Sequence, residues 1–254
     1  MKKYFVFSDV HSFYDELMTA LKEAGFDYND PDHIIISCGD LCDRGRQPKE
    51  ALTFINSLPE DRKICIIGNH ERIMEDVIAR GFCDATDVYN GTSVTADLLC
   101  EEGQSISDLK DNPLWNEYKK SWRLFYETDD YIFVHGWIPF KHDFHWPFRE
   151  TFEYDPKWRE ASLRQFEEAS WENGMEAWSK GIREEGKTIV CGHWHTSWGH
   201  AYLHNEGVEY PEEDKPEQDA KFTPFIDEGI IALDGCTAYS HLVNIYVIEM
   251  SETK

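Results

Sequence analysis

The chain alternates short apolar runs of strand length with segments whose apolar residues recur at helical spacing. Tyr4 to Phe7 is the first run, and Phe13, Leu17, Met18, Leu21 and Ala24 follow on one helical face that Gly25 closes. The unit repeats. Ile34-Ile35-Ile36 reads as a buried strand, Pro48 opens a helix through Leu52 and Ile55, Ile64 to Ile67 is a third strand, and His70 to Arg80 forms a helix capped by Gly81. Residues 82–130 are mainly helical and irregular, after which Tyr131 to Val134 and Thr188 to Cys191 are further strands. Ile230 to Leu233 and Leu242 to Ile248 suit a hairpin that closes the sheet. Strand alternating with helix predicts an α/β fold with a largely parallel sheet covered by helices. With no low-complexity linker, the expectation is one domain over residues 1–254, carrying insertions around 82–130, 137–186 and 201–228.

Composition narrows the functional classes. Forty-nine Asp and Glu against 25 Lys and Arg leave a net charge of −24, which excludes a broad basic face for nucleic acid or an anionic membrane. An anion that binds here needs local positive charge. With 41% hydrophobic residues, including 15 Phe, 12 Tyr and 9 Trp, the chain is too apolar for a disordered acidic segment. No apolar run reaches the roughly 18 residues of a membrane span, and Asp9 comes too early for a signal peptide, so a cytoplasmic location is expected. The seven cysteines, Cys38, Cys42, Cys65, Cys83, Cys100, Cys191 and Cys236, are odd in number and scattered, which suits reduced core residues. The tryptophans Trp137, Trp146, Trp171, Trp178 and Trp198 suit core packing or a lid over a nucleobase or peptide. Glu212-Glu213-Asp214 suits a solvated loop, and His200 either a pocket lining or a loop histidine.

Chemistry enters at the strand ends. Five apolar strands each run into acidic, amide or imidazole side chains, at the edge where open α/β sheets bind ligands. The first delivers Asp9-Val10-His11, the second Gly39-Asp40 and then Asp43-Arg44-Gly45, the third Gly68-Asn69-His70-Glu71, the fourth His135-Gly136, and the fifth Gly192-His193-Trp194-His195. Singly, each cluster suits turn or capping chemistry, and His135 alone suits a satisfied core histidine. Together, so many ionisable groups buried at one sheet edge would be costly without a cation, so a shared metal site follows. The donors are oxygen and nitrogen with no thiolate, which suits manganese, iron or zinc.

Ser8-Asp9-Val10-His11, Gly39-Asp40-Leu41-Cys42-Asp43-Arg44-Gly45, Gly68-Asn69-His70-Glu71, Val134-His135-Gly136 and Gly192-His193-Trp194-His195 resemble, in order, the five motifs of the calcineurin-like metallophosphoesterases. The G-D-x-x-D-R-G and G-N-H-E forms resemble the phosphoprotein phosphatase branch, which includes bacteriophage lambda phosphatase and the diadenosine tetraphosphate hydrolases. The resemblance implies a four-layer αββα sandwich and two divalent metal ions, Mn2+ with Fe or Zn as alternatives. It implies that Asp9, His11 and His195 hold one metal, that Asp40 bridges, and that Asn69, His135 and His193 hold the other. It further implies His70 as general acid, Asp43 as the carboxylate orienting it, and Arg44 as the phosphate grip.

The implied activity is hydrolysis of phosphomonoesters by in-line attack of a metal-bridging hydroxide. The substrate would be a phosphorylated small molecule, a nucleotide or a phosphoprotein, with serine/threonine phosphatase activity as one form. A diadenosine tetraphosphate-type hydrolase and a non-catalytic scaffold are the alternatives; nucleic acid and membrane are not expected as partners, and the sequence leaves the oligomeric state open. The chain departs from the branch at three places. Ser8 and Ser12 flank the first motif where glycines are usual, and the last motif carries two histidines. The Trp-x-Arg context of a second phosphate-gripping arginine has as its nearest match Trp171-Glu172-Asn173-Gly174, leaving Arg164 or Arg183 as substitutes.

Overall fold

The computed structural model describes residues 2–145, 149–211 and 219–249, so Trp146 and Glu212-Glu213-Asp214 lie outside the described residues. The chain begins with β1 (Lys3–Phe7), α1 (Tyr14–Glu23), β2 (His33–Ser37), α2 (Pro48–Ser57), β3 (Lys63–Ile66) and α3 (Asn69–Arg80). Helices α4 (Ala85–Tyr89), α5 (Thr92–Leu99) and α6 (Pro113–Lys120) lead to β4 (Trp122–Arg123), β5 (Tyr126–Glu127) and β6 (Tyr131–Phe133). A ribbon of β7 (Lys141–His145) and β8 (Arg149–Glu153) precedes α7 (Leu163–Ala169), α8 (Gly174–Ser179), β9 (Thr188–Cys191) and α9 (Thr196–Leu203). The chain closes with β10 (Phe225–Asp227), β11 (Ile230–Ala232), α10 (Thr237–Ser240) and β12 (Tyr246–Glu249).

Two sheets result. One has the order β12-β1-β2-β3-β4, parallel except for β12, which runs antiparallel to β1. The other has the order β10-β11-β9-β6-β5, with a parallel centre and antiparallel edges. The period-two alternation of strand side chains assigns their faces. Tyr4, Val6, Ile34 and Ile36 point inward and meet Phe133, Val190, Ile231 and Leu233 of the second sheet. Phe5, Phe7 and Ile35 point outward onto Leu17, Leu21, Leu52 and Ile55 of α1 and α2. Phe166, Met175 and Trp178 cover the outer face of the second sheet. The layering is therefore αββα, as the resemblance implies, and each of these aliphatic side chains contributes about 1.5–3 kcal/mol through burial.

The final hairpin expected from the sequence does not form. β11 turns back on β10 through Glu228-Gly229, where Gly229 has φ 84°, and β12 joins the other sheet beside β1. Between them α10 and the left-handed residues Cys236 (φ 52°) and His241 (φ 56°) carry the chain across from one sheet to the other. Elsewhere the strand and helix expectations hold, and α3 ends on Gly81 (φ 77°), whose N–H bonds Val77 O at 2.9 Å. All seven cysteines are free. Among the described residues no helix is long and apolar enough to cross a membrane.

Candidate metal centre and catalytic cavity

The motif loops leave the parallel strands through left-handed backbone: Asp9 (φ 53°), His11 (51°), Asp40 (54°), Asp43 (75°), Arg44 (60°) and His193 (66°). Such non-glycine residues carry about 1–3 kcal/mol of strain each, and here hydrogen bonds between loops hold them. Asp9 N donates to Gly39 O at 3.1 Å and His11 N to Asp40 O at 3.0 Å, tying the β1 loop to the β2 loop. The buried carboxylate of Glu71 accepts from Gly68 N (2.8 Å), Leu41 N (2.9 Å) and Asp40 N (3.0 Å), locking the β2 loop onto the first turn of α3. Gly68 must stay small, because a Cβ there would overlap Asp40 Oδ1.

These loops converge the polar atoms. His11, Asp40 and His70 each place a ligand atom within 4.8 Å of the others, and so do Asp40, His135 and His193, so the two groups share Asp40. His11 Nε2 stands 3.9 Å from both Asp9 Oδ1 and Asp40 Oδ2, and His135 Nε2 is 3.4 Å from Asp40 Oδ2. Asn69 Oδ1 meets His135 Nε2 at 2.8 Å and His193 Nδ1 at 3.0 Å. The far ring nitrogens rest on carbonyls: His11 Nδ1 on Cys42 O (3.0 Å) and His135 Nδ1 on Cys38 O (2.7 Å). Carbonyls only accept, so both rings donate through Nδ1 and turn Nε2 inward, and His11, which burial keeps neutral, thereby carries its lone pair on Nε2, the tautomer a metal ligand needs.

Within this cluster His70 bonds Asp43 Oδ2 through Nδ1 at 2.8 Å, and the same oxygen accepts from Thr92 Oγ1 at 2.5 Å. Arg44 Nη2 lies 3.4 Å from His70 Nε2. Burial alone would lower the His70 pKa, but Asp40 and Asp43 outweigh it and raise it. Burial pushes the Asp9 carboxyl up to about 6 and Asp234 well above the carboxylate range. It acts the same way on Asp40, yet His135, His70 and His11 hold Asp40 well below its ordinary value. The buried His135, facing Asp40 and Asp9, rises to about 10 despite burial, while burial and the neighbouring His135 lower His193 to about 3. Oxygen and nitrogen donors around a shared, wholly buried carboxylate fit divalent cations.

The cavity over this cluster holds about 220 Å³, and among its described lining residues Arg44 is the only lysine or arginine. His195 lines it but stands outside both ligand groups, with Nδ1 on Ser197 Oγ (2.8 Å) and Nε2 3.5 Å from Glu209 Oε1. Of the tryptophans considered for a lid, Trp171 lines the cavity, whereas Trp137 and Trp178 are buried in the core. Neither substitute arginine reaches it: Arg164 is exposed and paired with Glu168, and Arg183 lies over the Trp178 ring at 4.2 Å. Sequence reasoning missed Asp234, which follows β11 as the other motif residues follow their strands and lines the same cavity. It also gave no role to Glu71, although a glutamate at the third helical position is a capping-box signal. Asn90 and Tyr210, also in the lining, carried no signal of their own.

A family model described as calcineurin-like phosphoesterase matches residues 2–208. Over 71 residues the chain is 37% identical to the symmetrical bis(5'-nucleosyl)-tetraphosphatase of Buchnera aphidicola subsp. Baizongia pistaciae (strain Bp), a stretch covering 28% of this chain and 24% of that relative. A solved structure described as a diadenosine tetraphosphatase superposes with a TM-score of 0.54 at 11% identity, covering 97% of this chain and 89% of that one. The cold-active protein-tyrosine phosphatase of a psychrophile Shewanella sp. superposes with a TM-score of 0.55 at 16% identity, covering 98% and 76%. At such identities the likeness of the two structures to this chain is one of fold.

Proposed function

The chain belongs to the calcineurin-like phosphoesterase family, and on that premise we propose that it is a binuclear metal-dependent hydrolase of phosphomonoesters. Asp9 and His11, with His195 brought in from the cavity wall, would hold one divalent cation; Asn69, His135 and His193 would hold the other; Asp40 would serve both. When bound, the pair supplies Lewis acidity toward phosphoryl oxygens and a water of lowered pKa. The chain's own groups do the rest. Arg44 grips the non-bridging oxygens with its planar fork. Because Asp43 accepts the Nδ1 proton, His70 presents its other proton on Nε2, and that proton passes to the leaving oxygen as the bond to phosphorus breaks. The observation that carries the reading is one buried carboxylate, Asp40, common to two ligand groups, one of which includes His70, itself paired with Asp43.

A second reading, hydrolysis of a dinucleoside oligophosphate, is favoured by the local identity with the tetraphosphatase and by Trp171, which is 53% exposed at the cavity and offers a stacking face for a base. Purified protein in Mn2+ is tested on p-nitrophenyl phosphate, its bis-ester, a phosphopeptide and diadenosine tetraphosphate, with Asp40→Asn as control. Metal-stimulated turnover of the monoesters, lost in Asp40→Asn, is expected. Preference for the dinucleotide selects the second reading, and no turnover of any substrate leaves a non-catalytic scaffold.

A further inference from the structure

Helix α9 leaves the last motif and ends away from the cavity. At that far end His200 and the capping His204 stand four residues apart, so their rings share a face, with centroids 6.1 Å apart. The chain then folds back: Glu206 N bonds His200 O at 2.8 Å, which brings Glu206 Oε2 to 3.2 Å from His200 Nδ1. One ligand atom from each of His200, His204 and Glu206 lies within 4.8 Å of the others, and none of the three lines the catalytic cavity.

The hydrogen bonds on the opposite sides of the rings decide how these atoms are charged. His200 Nε2 meets Thr223 O at 3.2 Å, and His204 Nε2 meets Asp227 Oδ2 at 3.1 Å. A carbonyl only accepts, so the proton of a neutral His200 sits on Nε2 and its Nδ1 lone pair faces a carboxylate with no proton between them. The two acceptors are reconciled by a second ring proton or by a cation. A carboxylate or carbonyl behind each imidazole is the support that metal-ligating histidines have, fixing the ring and raising its basicity.

We propose that His200, His204 and Glu206 form a site for one divalent transition-metal ion, of the Zn2+ class, outside the catalytic cavity. Two imidazoles and a carboxylate, with water in the remaining position, suit zinc and suit neither Mg2+ nor Ca2+. The site lies at the C-terminal end of α9, the end whose dipole favours a cation. Lys221, whose Nζ lies 3.0 Å from Glu206 Oε2, holds the positive charge there otherwise, and its half-exposed side chain can swing to solvent when the ion enters. His200 is buried, His204 is exposed and the Glu206 side chain is half-exposed, so the site opens to solution. Because α9 begins directly after His193-Trp194-His195, an ion at its end would pin the helix on which that motif rests.

Metal-free full-length protein titrated with Zn2+ against a chromophoric chelator tests this. The wild type is expected to bind one equivalent more than His204→Ala and one more than Glu206→Gln. A stoichiometry unchanged in either variant overturns the proposal. The difference between wild type and variant is read whatever the catalytic cavity holds, so it is independent of the phosphoesterase reading. Wild-type crystals grown with one added equivalent beyond saturation of the cavity should show a zinc-edge anomalous peak among the three side chains. Its absence overturns the proposal without need of a variant.

Discussion

His70 draws its chemistry from what touches it. Asp43 takes its Nδ1 proton at 2.8 Å, Arg44 sits by Nε2 at 3.4 Å, and His11 packs edge-on with ring centroids 4.7 Å apart. A ring held in one orientation, with its Nδ1 proton fixed on Asp43, can donate a second proton from Nε2 without reorganising. His70→Asn is therefore expected to lower kcat about 10²- to 10⁴-fold on a substrate with a poor leaving group, with little change in KM because Arg44 still grips the phosphate. The loss should shrink with p-nitrophenyl phosphate, whose leaving oxygen needs little protonation. An equal loss on both substrates would remove His70 from the acid role. At this scale the sequence was informative because the residue types are few and each follows a strand. Asp9, Asp40, Asn69, His135 and His193 were legible for that reason, and the structure gathers them. Asp234 follows a strand equally well and went unread, since it is a lone carboxylate with no histidine or arginine beside it.

Among the elements, the hinge of the site is the junction of the β2 loop with α3. Glu71 closes it, taking three backbone N–H groups and standing 3.3 Å from Tyr118 Oη, wholly buried. Glu71→Gln keeps the size but turns an acceptor oxygen into an NH2 that faces donors, leaving buried N–H groups unmatched at about 1–3 kcal/mol. The variant is expected to lose that much unfolding free energy in urea and to bind metal more weakly, because Asp40 N is one of the released groups. A variant as stable as the wild type would show that water replaces the carboxylate. The helices and strands themselves were legible from periodicity, since α3 and its Gly81 cap need only local information. The pairing of the last strands was not, because Ile230–Ala232 and Tyr246–Glu249 have the apolar pattern of any two neighbours in a hairpin. Only the left-handed turns at Cys236 and His241, unusual for those residues, send them to different sheets.

For the whole molecule the net charge of −24 sets two opposing trends with pH. Acidification protonates exposed carboxylates and relieves their repulsion, which favours the compact state. It also titrates the carboxylates that the fold uses as ion-pair partners. Glu127 on β5 is the clearest of these: Arg159 grips it with Nε at 2.9 Å and Nη2 at 2.6 Å, and Lys187 lies at 2.9 Å. The Arg159 hydrogen bonds, helped by Lys187, hold the Glu127 carboxyl down at about 2 against an ordinary 4.5. Arg159 also lies over the buried Trp158 ring at 4.4 Å and bonds Glu184 at 2.9 Å, so the cluster fastens the segment between β8 and α7 onto the second sheet. A carboxylate held below its unfolded value adds stability fully above about 4.5 and loses it as pH falls toward about 2. Glu127→Gln should therefore be less stable than the wild type in urea at pH 7, and the gap should close as the pH drops through that window. Metal-free protein is the form to compare, since it removes the acid release of metal from both chains alike. A gap that stays constant from pH 7 to the acid limit would mean that Glu127 acts through packing, and that repulsion among the exposed carboxylates alone shapes the acid limb.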